Sequence, residues 1–440
     1  MEIFFGYNRL GFRVGKNIPI VWDSKSVINH HMLLTGASGT GKTYRLRNII
    51  NQIVSQNANV RVHVIDYHGD ITIDSASTVK FSESSNWGFN PLVVNDDPHY
   101  GGVRKRIQSF IGSLNRSGRQ LGSKQEAVLR NLLTDLYAAN GFYGNDAKSW
   151  KLNDGIARRF PKKYPTLMDA LKFSAFKLRA MSLGANNKSM ALLEQLNRTA
   201  SRMYVKLKRS NNTKDDAEFL KMQEDLKSLK DKAIEEYTDY VQSIQTGNEL
   251  DDLIKYDSKD VLKSIVERLE NLNSMGIFKN ETPPFDQSKP VWRYEISPLL
   301  LEEKKLFVYF LLENIFYERF RQGVQDDVRE IIVLDEAHLY FTEEPENIIN
   351  IIAKEARKFG LGLFCASQSP THFSEDFTTN VSTKAILGID ETYWGSTERK
   401  LRLSQDALKQ IIPQKDMLLQ IKNRGDTQNI FVPCQFSAQK

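Results

Sequence analysis

Short apolar runs bounded by turn residues occupy both ends of the chain, and a long block with helical spacing separates them. The runs His31–Leu34, Arg61–Asp66, Val291–Ser297, Glu330–Asp335, Leu361–Ser367, Lys384–Leu387 and Met417–Ile421 read as strands. Several are apolar almost throughout, which suits strands buried on both faces of a parallel sheet with helices between them. From about residue 100 to residue 288, β-branched runs vanish, and leucines and charged residues recur at steps of three and four. There Phe219, Met222, Leu226, Leu229, Ala233, Tyr237, Tyr240 and Ile244 form the stripe of a long amphipathic helix, one member of a coiled-coil-like pair. Strands lie on both sides of the block, so it interrupts an α/β core. Residues 1–99 form an N-terminal segment and the first half of that core, 100–288 an all-helical insertion domain, and 289–440 the second half.

The octet Gly36, Ala37, Ser38, Gly39, Thr40, Gly41, Lys42, Thr43 stands between a predicted strand and a predicted helix, Tyr44–Ile53. A glycine-rich turn leaves backbone N–H groups free to wrap phosphate oxygens, and the helix aims its positive dipole end at the same charge. In this P-loop Lys42 reaches the β- and γ-phosphates of ATP, and the Thr43 hydroxyl ligates the Mg2+ that bridges them. The fold expected is a RecA-like P-loop ATPase core with a mostly parallel sheet.

A second motif, REIIVLDEAHLYF, ends a buried strand in Asp335 and Glu336. An acid at the strand end can hold Mg2+, and the next carboxylate can polarise the attacking water, so Asp335 is assigned to metal and Glu336 to general base. The letters DEAH also mark a helicase superfamily with two RecA-like cores per chain. Here about 290 residues separate the two motifs and too little chain follows for a second core, so His338 reads as coincidence. The strand LGLFCAS delivers Gln368 beyond its C-terminal end, where ligands bind in open α/β sheets. Gln368 is thus a candidate contact for the γ-phosphate or the attacking water, or, with Ser367, a residue that only satisfies backbone groups in a turn. Before that strand a helix with Ile348, Ile349, Ile351, Ile352 and Ala356 on its buried side ends near Gly360, with Lys354, Arg357 and Lys358 in its last turns. Arg357 is either a cation stabilised by the helix dipole or an arginine finger for a neighbouring subunit's site. Asp66, His68 and Asp70 follow the second strand, where Asp66 can order Mg2+ waters or the lysine, or simply form a turn.

The net charge of +6 leans toward an acidic partner. Basic residues cluster at Arg104, Lys105, Arg106, Arg116, Arg119, Lys124 and Arg130, at Arg158–Lys163, and at Arg198, Arg202, Lys206, Lys208 and Arg209. Such clusters can track phosphates without reading sequence. Cys365 and Cys434 suit core thiols in a reducing compartment. With no signal-peptide pattern and no apolar window long enough to span a bilayer, a cytoplasmic protein without membrane attachment is expected.

The order VIDYHGD, FNPL, a helical insertion, IIVLDEAH, EARKFGLGLFCASQSP and NVSTKAILG resembles the HerA group of hexameric DNA translocases, neighbours of FtsK and of the TraG-type conjugation ATPases. The likeness covers roughly Val27–Leu92 and Glu295–Pro433. It implies ATP hydrolysis across subunit interfaces, with Lys42, Thr43, Asp335, Glu336, Gln368 and Arg357 in the family's roles. It also implies a homohexamer that translocates or unwinds double-stranded DNA beside a partner nuclease or effector, in DNA processing or anti-phage defence. Where HerA proteins usually carry an N-terminal β-barrel, only a short segment precedes this P-loop. Two further readings are an ATP-binding ring scaffold that activates an effector, and a conjugation or DNA-packaging ATPase.

Overall fold

The computed structural model describes residues 1–12, 14–56, 59–152, 162–183, 187–210, 216–243, 255–256, 258–279 and 281–438. It divides into two compact units. One comprises Met1–Pro91, Gly112–Gln120 and Met275–Lys440; the other comprises Leu92–Ile111 and Leu121–Ser274.

The first unit is built on a sheet of eleven strands among the described residues. They are β1 (Glu2–Asn8), β2 (Pro19–Asp23), β3 (Met32–Thr35), β4 (Arg61–Asp66), β5 (Ala76–Lys80), β6 (Val291–Glu295), β7 (Glu330–Leu334), β8 (Leu361–Ser367), β9 (Thr383–Ile386), β10 (Asp416–Ile421) and β11 (Val432–Gln435). The order is β2-β1-β11-β10-β9-β3-β8-β7-β4-β6-β5. From β9 to β5 every neighbouring pair is parallel, and the remaining strands join antiparallel on the β9 side. The parallel centre is where the apolar runs sit: β3 and β8 are buried at every position. The helix Lys42–Gln56 seals the sheet with Leu46, Ile49, Ile50 and Ile53, which cluster with Val62, Val64, Ile331, Val333 and Phe364. The helix Leu301–Arg321 is buried along most of its length, and its Phe307 packs edge-on against Phe81 and Phe89. The fold is therefore α/β and mostly parallel, as expected. The strands β1, β2, β5 and β11 are additions to the predicted set.

The sheet order fixes the site. β8 lies between β3, which leads into the octet, and β7, which ends at Asp335. β4 runs on the far side of β7 with Ile65 opposite Leu334, and Asp335 N–H donates to Ile65 O at 3.2 Å. Asp66 and Asp335 thereby leave adjacent strand ends together. Asp66 is wholly buried and fully committed. It accepts from Gly69 N–H at 2.8 Å and Ile71 N–H at 3.0 Å, and from the Arg293 guanidinium at 2.8 and 2.6 Å. The predicted turn role and a buried ion pair thus coincide in one carboxylate.

In the second unit, Ser123–Ala139 buries Val128, Leu129, Leu132, Leu133, Leu136 and Tyr137, and Lys259–Ser274 buries Leu262, Ile265, Val266, Leu269 and Leu272. Helices Asn187–Ser210 and Asp216–Ser243 pack on each other, which is the predicted pair. One stripe position is corrected. Tyr237 is exposed, and Glu236 takes the buried position, its carboxylate accepting from Gln195 at 2.9 Å. Steps of three or four from Ala233 reach both residues, and side-chain pairing selected the acid. Ile244 and the side chain of Phe219 lie outside the described residues.

Breaking a buried pair leaves an uncompensated charge in the core. Arg293→Ala is expected to cost about 3–5 kcal/mol of stability, read from denaturant midpoints, with the double variant Arg293→Met, Asp66→Leu recovering part of the loss. A loss no greater than that of an average surface substitution would show that Asp66 does not depend on this cation.

Candidate nucleotide site

The octet folds as a compact loop clamped from three sides. Gly36 N–H donates to Ser367 O at 3.1 Å and Ala37 N–H to Gly388 O at 2.7 Å, tying the loop to the ends of β8 and β9. Gln414 Nε2 donates to Gly39 O at 2.9 Å. Only glycine fits at position 36, where a Cβ would stand 2.5 Å from Thr40 Oγ1, and Gly41 adopts φ 95°, open in practice to glycine alone. Thr43 follows Lys42 in the first turn of the helix, whose leading N–H groups have no intrahelical partner. Lys42 Nζ folds back onto Gly36 O at 2.6 Å and Ala37 O at 3.3 Å. Burial lowers the lysine's pKa, and Glu336 and Asp335 oppose that shift. The ammonium is therefore poised inside the loop, on weak carbonyl partners that phosphate oxygens can replace.

Facing it, oxygens of Asp66, Asp70 and Asp335 lie within 4.8 Å of one another. Asp335 is pushed up to about 7, first by burial and then by Glu336, Asp66 and Asp70. Hard carboxylate oxygens crowded in this way are what a divalent cation binds, and the Asp335 oxygens and the Thr43 hydroxyl suit Mg2+. Asp70 belongs to this cluster and was not singled out as a ligand from the sequence.

Glu336 has φ 46° and ψ 43°, a left-handed conformation costing on the order of 1–3 kcal/mol for a side chain with a Cβ. In this conformation the carboxylate lies near two histidines. Its Oε1 lies 3.8 Å from His68 Nε2 and its Oε2 lies 3.2 Å from His338 Nδ1. The His338 contact has ion-pair distance without hydrogen-bond geometry, so Oε2 keeps a lone pair open for a proton. Ser367 Oγ bridges His338 Nδ1 at 3.3 Å and His372 Nδ1 at 3.1 Å, and the two rings lie 4.7 Å apart. Burial keeps both histidines below their ordinary pKa, with Lys42 adding to the shift at His338 and His338 adding to it at His372. His338 therefore stands beside Glu336 and Ser367, a contact that the sequence did not suggest. No motif points to His372 or Gln414, and Ser367 was singled out only as a possible turn residue; the Arg293 signal is a basic residue at a buried position of the strand VWRYE.

Gln368 stands exposed just past β8, at the phosphate end of the sheet. Arg357 is also exposed but precedes β8, at the opposite end, near His30 and His31, whose pKa values burial lowers and Arg357 lowers further. Seven strand residues separate the two ends, roughly 23 Å of extended chain. Arg357 therefore does not join Lys42 and Glu336 within one chain. The helix before it ends at Glu355, and Ala356–Phe359 continue as a 3-10 turn.

The basic clusters divide. Arg104, Lys105, Arg119, Lys124, Arg130, Arg198, Arg202 and Lys208 are exposed, whereas Arg106 is buried, Arg116 pairs with Glu344 and Lys206 pairs with Asp225. Residues 158–161 and the side chain of Arg209 lie outside the described residues.

Asp335 has a raised pKa, so it carries more protons in the folded state than in the unfolded one between pH 4 and 7, and stability falls as pH rises through that window. Asp335→Asn removes this penalty. In chelator at pH 8 the variant is expected to be more stable by on the order of 1–3 kcal/mol, with the gain shrinking toward pH 4. A gain independent of pH would contradict the crowded-carboxylate geometry.

The model of the family "Helicase HerA, central domain" matches residues 9–287, more than half of the chain. The DNA double-strand break repair helicase HerA of Pyrococcus furiosus is 30% identical over 128 residues, covering 22% of this chain and 23% of that protein. A Methanocaldococcus jannaschii protein described as a "probable helicase" is 29% identical over 153 residues, covering 31% of this chain and 29% of its own. These matches thus take in less than a third of each relative's length. Among solved structures, VirB4 of Thermoanaerobacter pseudethanolicus shares the fold with TM-score 0.62 at 14% identity, covering 99% of this chain and 96% of that one. The plasmid coupling protein TrwB in complex with ADP and Mg2+ gives 0.51 at 10% identity, covering 100% and 94%. No described helix is long and apolar enough to cross a membrane. The chain belongs to the HerA helicase family, with a fold shared with VirB4 and TrwB.

Proposed function

We propose that this chain hydrolyses ATP with Mg2+ at the octet and uses the energy to move double-stranded DNA as a homohexameric ring. The observation that carries the reading is the meeting of Lys42 and Thr43 with Asp335 and Glu336 at the ends of β3 and β7, on either side of β8. In this assignment the loop N–H groups and Lys42 hold the phosphates, and Thr43 and Asp335 hold Mg2+, which supplies charge neutralisation at the β- and γ-phosphates. Glu336 takes the proton of the attacking water, His338 and Ser367 orient Glu336, and Gln368 contacts the γ-phosphate or that water. The relatives' names support a role on DNA: the Pyrococcus protein is named for double-strand break repair.

Arg357 supports the ring. Placed at the far end of β8 from its own phosphate loop, it can complete a site only in an adjoining subunit. The exposed basic side chains, including Arg104, Lys105, Arg119 and Arg130, offer phosphate contacts without base readout. Among the described residues nothing beyond the nucleotide site forms a nuclease-like metal cluster, so cutting falls to a partner nuclease or effector, in DNA processing or phage defence. A cytoplasmic location fits that role.

The test is the ATP hydrolysis rate with and without linear duplex DNA, with particle mass read on the same sample. A six-subunit particle with DNA-stimulated turnover is expected. Lys42→Ala should abolish turnover, and Glu336→Gln should keep ATP binding while lowering kcat at least about a hundredfold. His338→Ala should lower kcat with KM little changed. A rate indifferent to DNA would sink the motor in favour of a ring scaffold.

A further inference from the structure

A second charged cavity, of about 260 Å3, lies in the first unit against β9 and the end of β10. Lys384, Arg399, Lys400, Arg402 and Lys422 line it, with Glu375 the one carboxylate among the lining residues. Lys384, the second residue of β9, stands opposite Leu33, whereas the phosphate loop meets the chain beyond the other end of β9, at Gly388. The cavity is therefore separate from the nucleotide site.

Its central cation is built in. Lys384 is 4% exposed, and its ammonium donates to Val381 O at 2.6 Å and to Gln420 Oε1 at 2.9 Å. Both acceptors are neutral, and an ammonium has three N–H donors, so the charge is buried without a counter-ion and one donor remains. Burial, reinforced by Lys422, pushes its pKa down to about 7. Around it Lys400 donates to Phe373 O and lies in the field of the Glu375 and Glu343 carboxylates, and Arg399 donates to Gly395 O of its own helix. Arg402 is fixed at φ 54° at the end of its helix. Neither Arg402 nor Lys422 has an ion-pair partner among the described residues. Five lining cations outnumber the Glu375 and Glu343 carboxylates near them, and a compact multivalent oxyanion would stabilise such an enclosure.

We propose that this cavity binds a phosphate group, either of a small phosphate compound or of a nucleic-acid backbone. The volume admits one or two phosphates and is below that of ordinary cofactor pockets. The proposal goes beyond the motor reading and stands whether or not that reading survives.

The test uses the full chain with Lys42→Ala, which silences the phosphate loop, compared with the same chain carrying Arg402→Gln and Lys422→Gln, two outlying side chains whose loss leaves the core intact. Thermal unfolding confirms that both fold. Inorganic pyrophosphate is titrated by calorimetry, and duplex DNA affinity is measured against salt. A pyrophosphate affinity that falls at least about tenfold in the double substitution supports the site with a small phosphate as occupant. A DNA salt slope smaller by about two supports it with backbone phosphate as occupant. Equal pyrophosphate affinity, or none in either protein, together with an unchanged salt slope overturns the proposal.

Discussion

Three carboxylates crowd the ends of β4 and β7, and among the described residues only Asp66 has a cation hydrogen-bonded to it. Asp66 is satisfied by Arg293 and by two backbone N–H groups, so it shapes the turn and stays with the protein. Asp335, one strand over and nearly as buried, has no hydrogen-bonded cation among the described residues, only the field of Lys42, and burial and its acidic neighbours drive it up to about 7. The asymmetry follows from sheet order: β4 and β6 are neighbours, which places Arg293 beside Asp66, while β7 has β8 on its other side. The fold thus stores an unbalanced negative charge beside a positively polarised loop. A cation carrying phosphate satisfies both at once.

The central sheet and the octet were legible because each obeys a local rule. Strands buried on both faces must be apolar runs, so β3, β4, β7 and β8 declared themselves, and the phosphate loop requires glycines that nothing else explains. The added strands follow weaker rules. β2 starts at Pro19, β11 contains Pro433, and β5 mixes exposed polar residues with one buried valine, so none makes an apolar run. The polar partners were illegible for a different reason. Strand order brings His338 to Ser367, and the fold brings Gln414 to Gly39, while Glu236 replaced Tyr237 because Gln195 on the paired helix donates to it. Periodicity records which face is covered, and long-range hydrogen bonds decide which polar residues are tolerated there.

The parallel strands give the sheet two chemically different ends. At one stand the phosphate loop, Asp335, Glu336 and Gln368. At the other stand Arg357 and the cavity around Lys384. A chain folded in this way holds every part proposed for hydrolysis except one, and carries that part where its own nucleotide cannot reach it. The ring proposal is the statement that a neighbouring copy closes the gap.

Mixing chains tests this most directly. Lys42→Ala and Arg357→Ala chains are purified separately, each lacking ATP turnover, then dissociated and reassembled together, and hydrolysis is measured in the mixture. Sites shared between subunits require turnover to return, because some interfaces pair an intact phosphate loop with an intact Arg357. A mixture as inactive as its parts, in particles shown to contain both chains, contradicts the shared site.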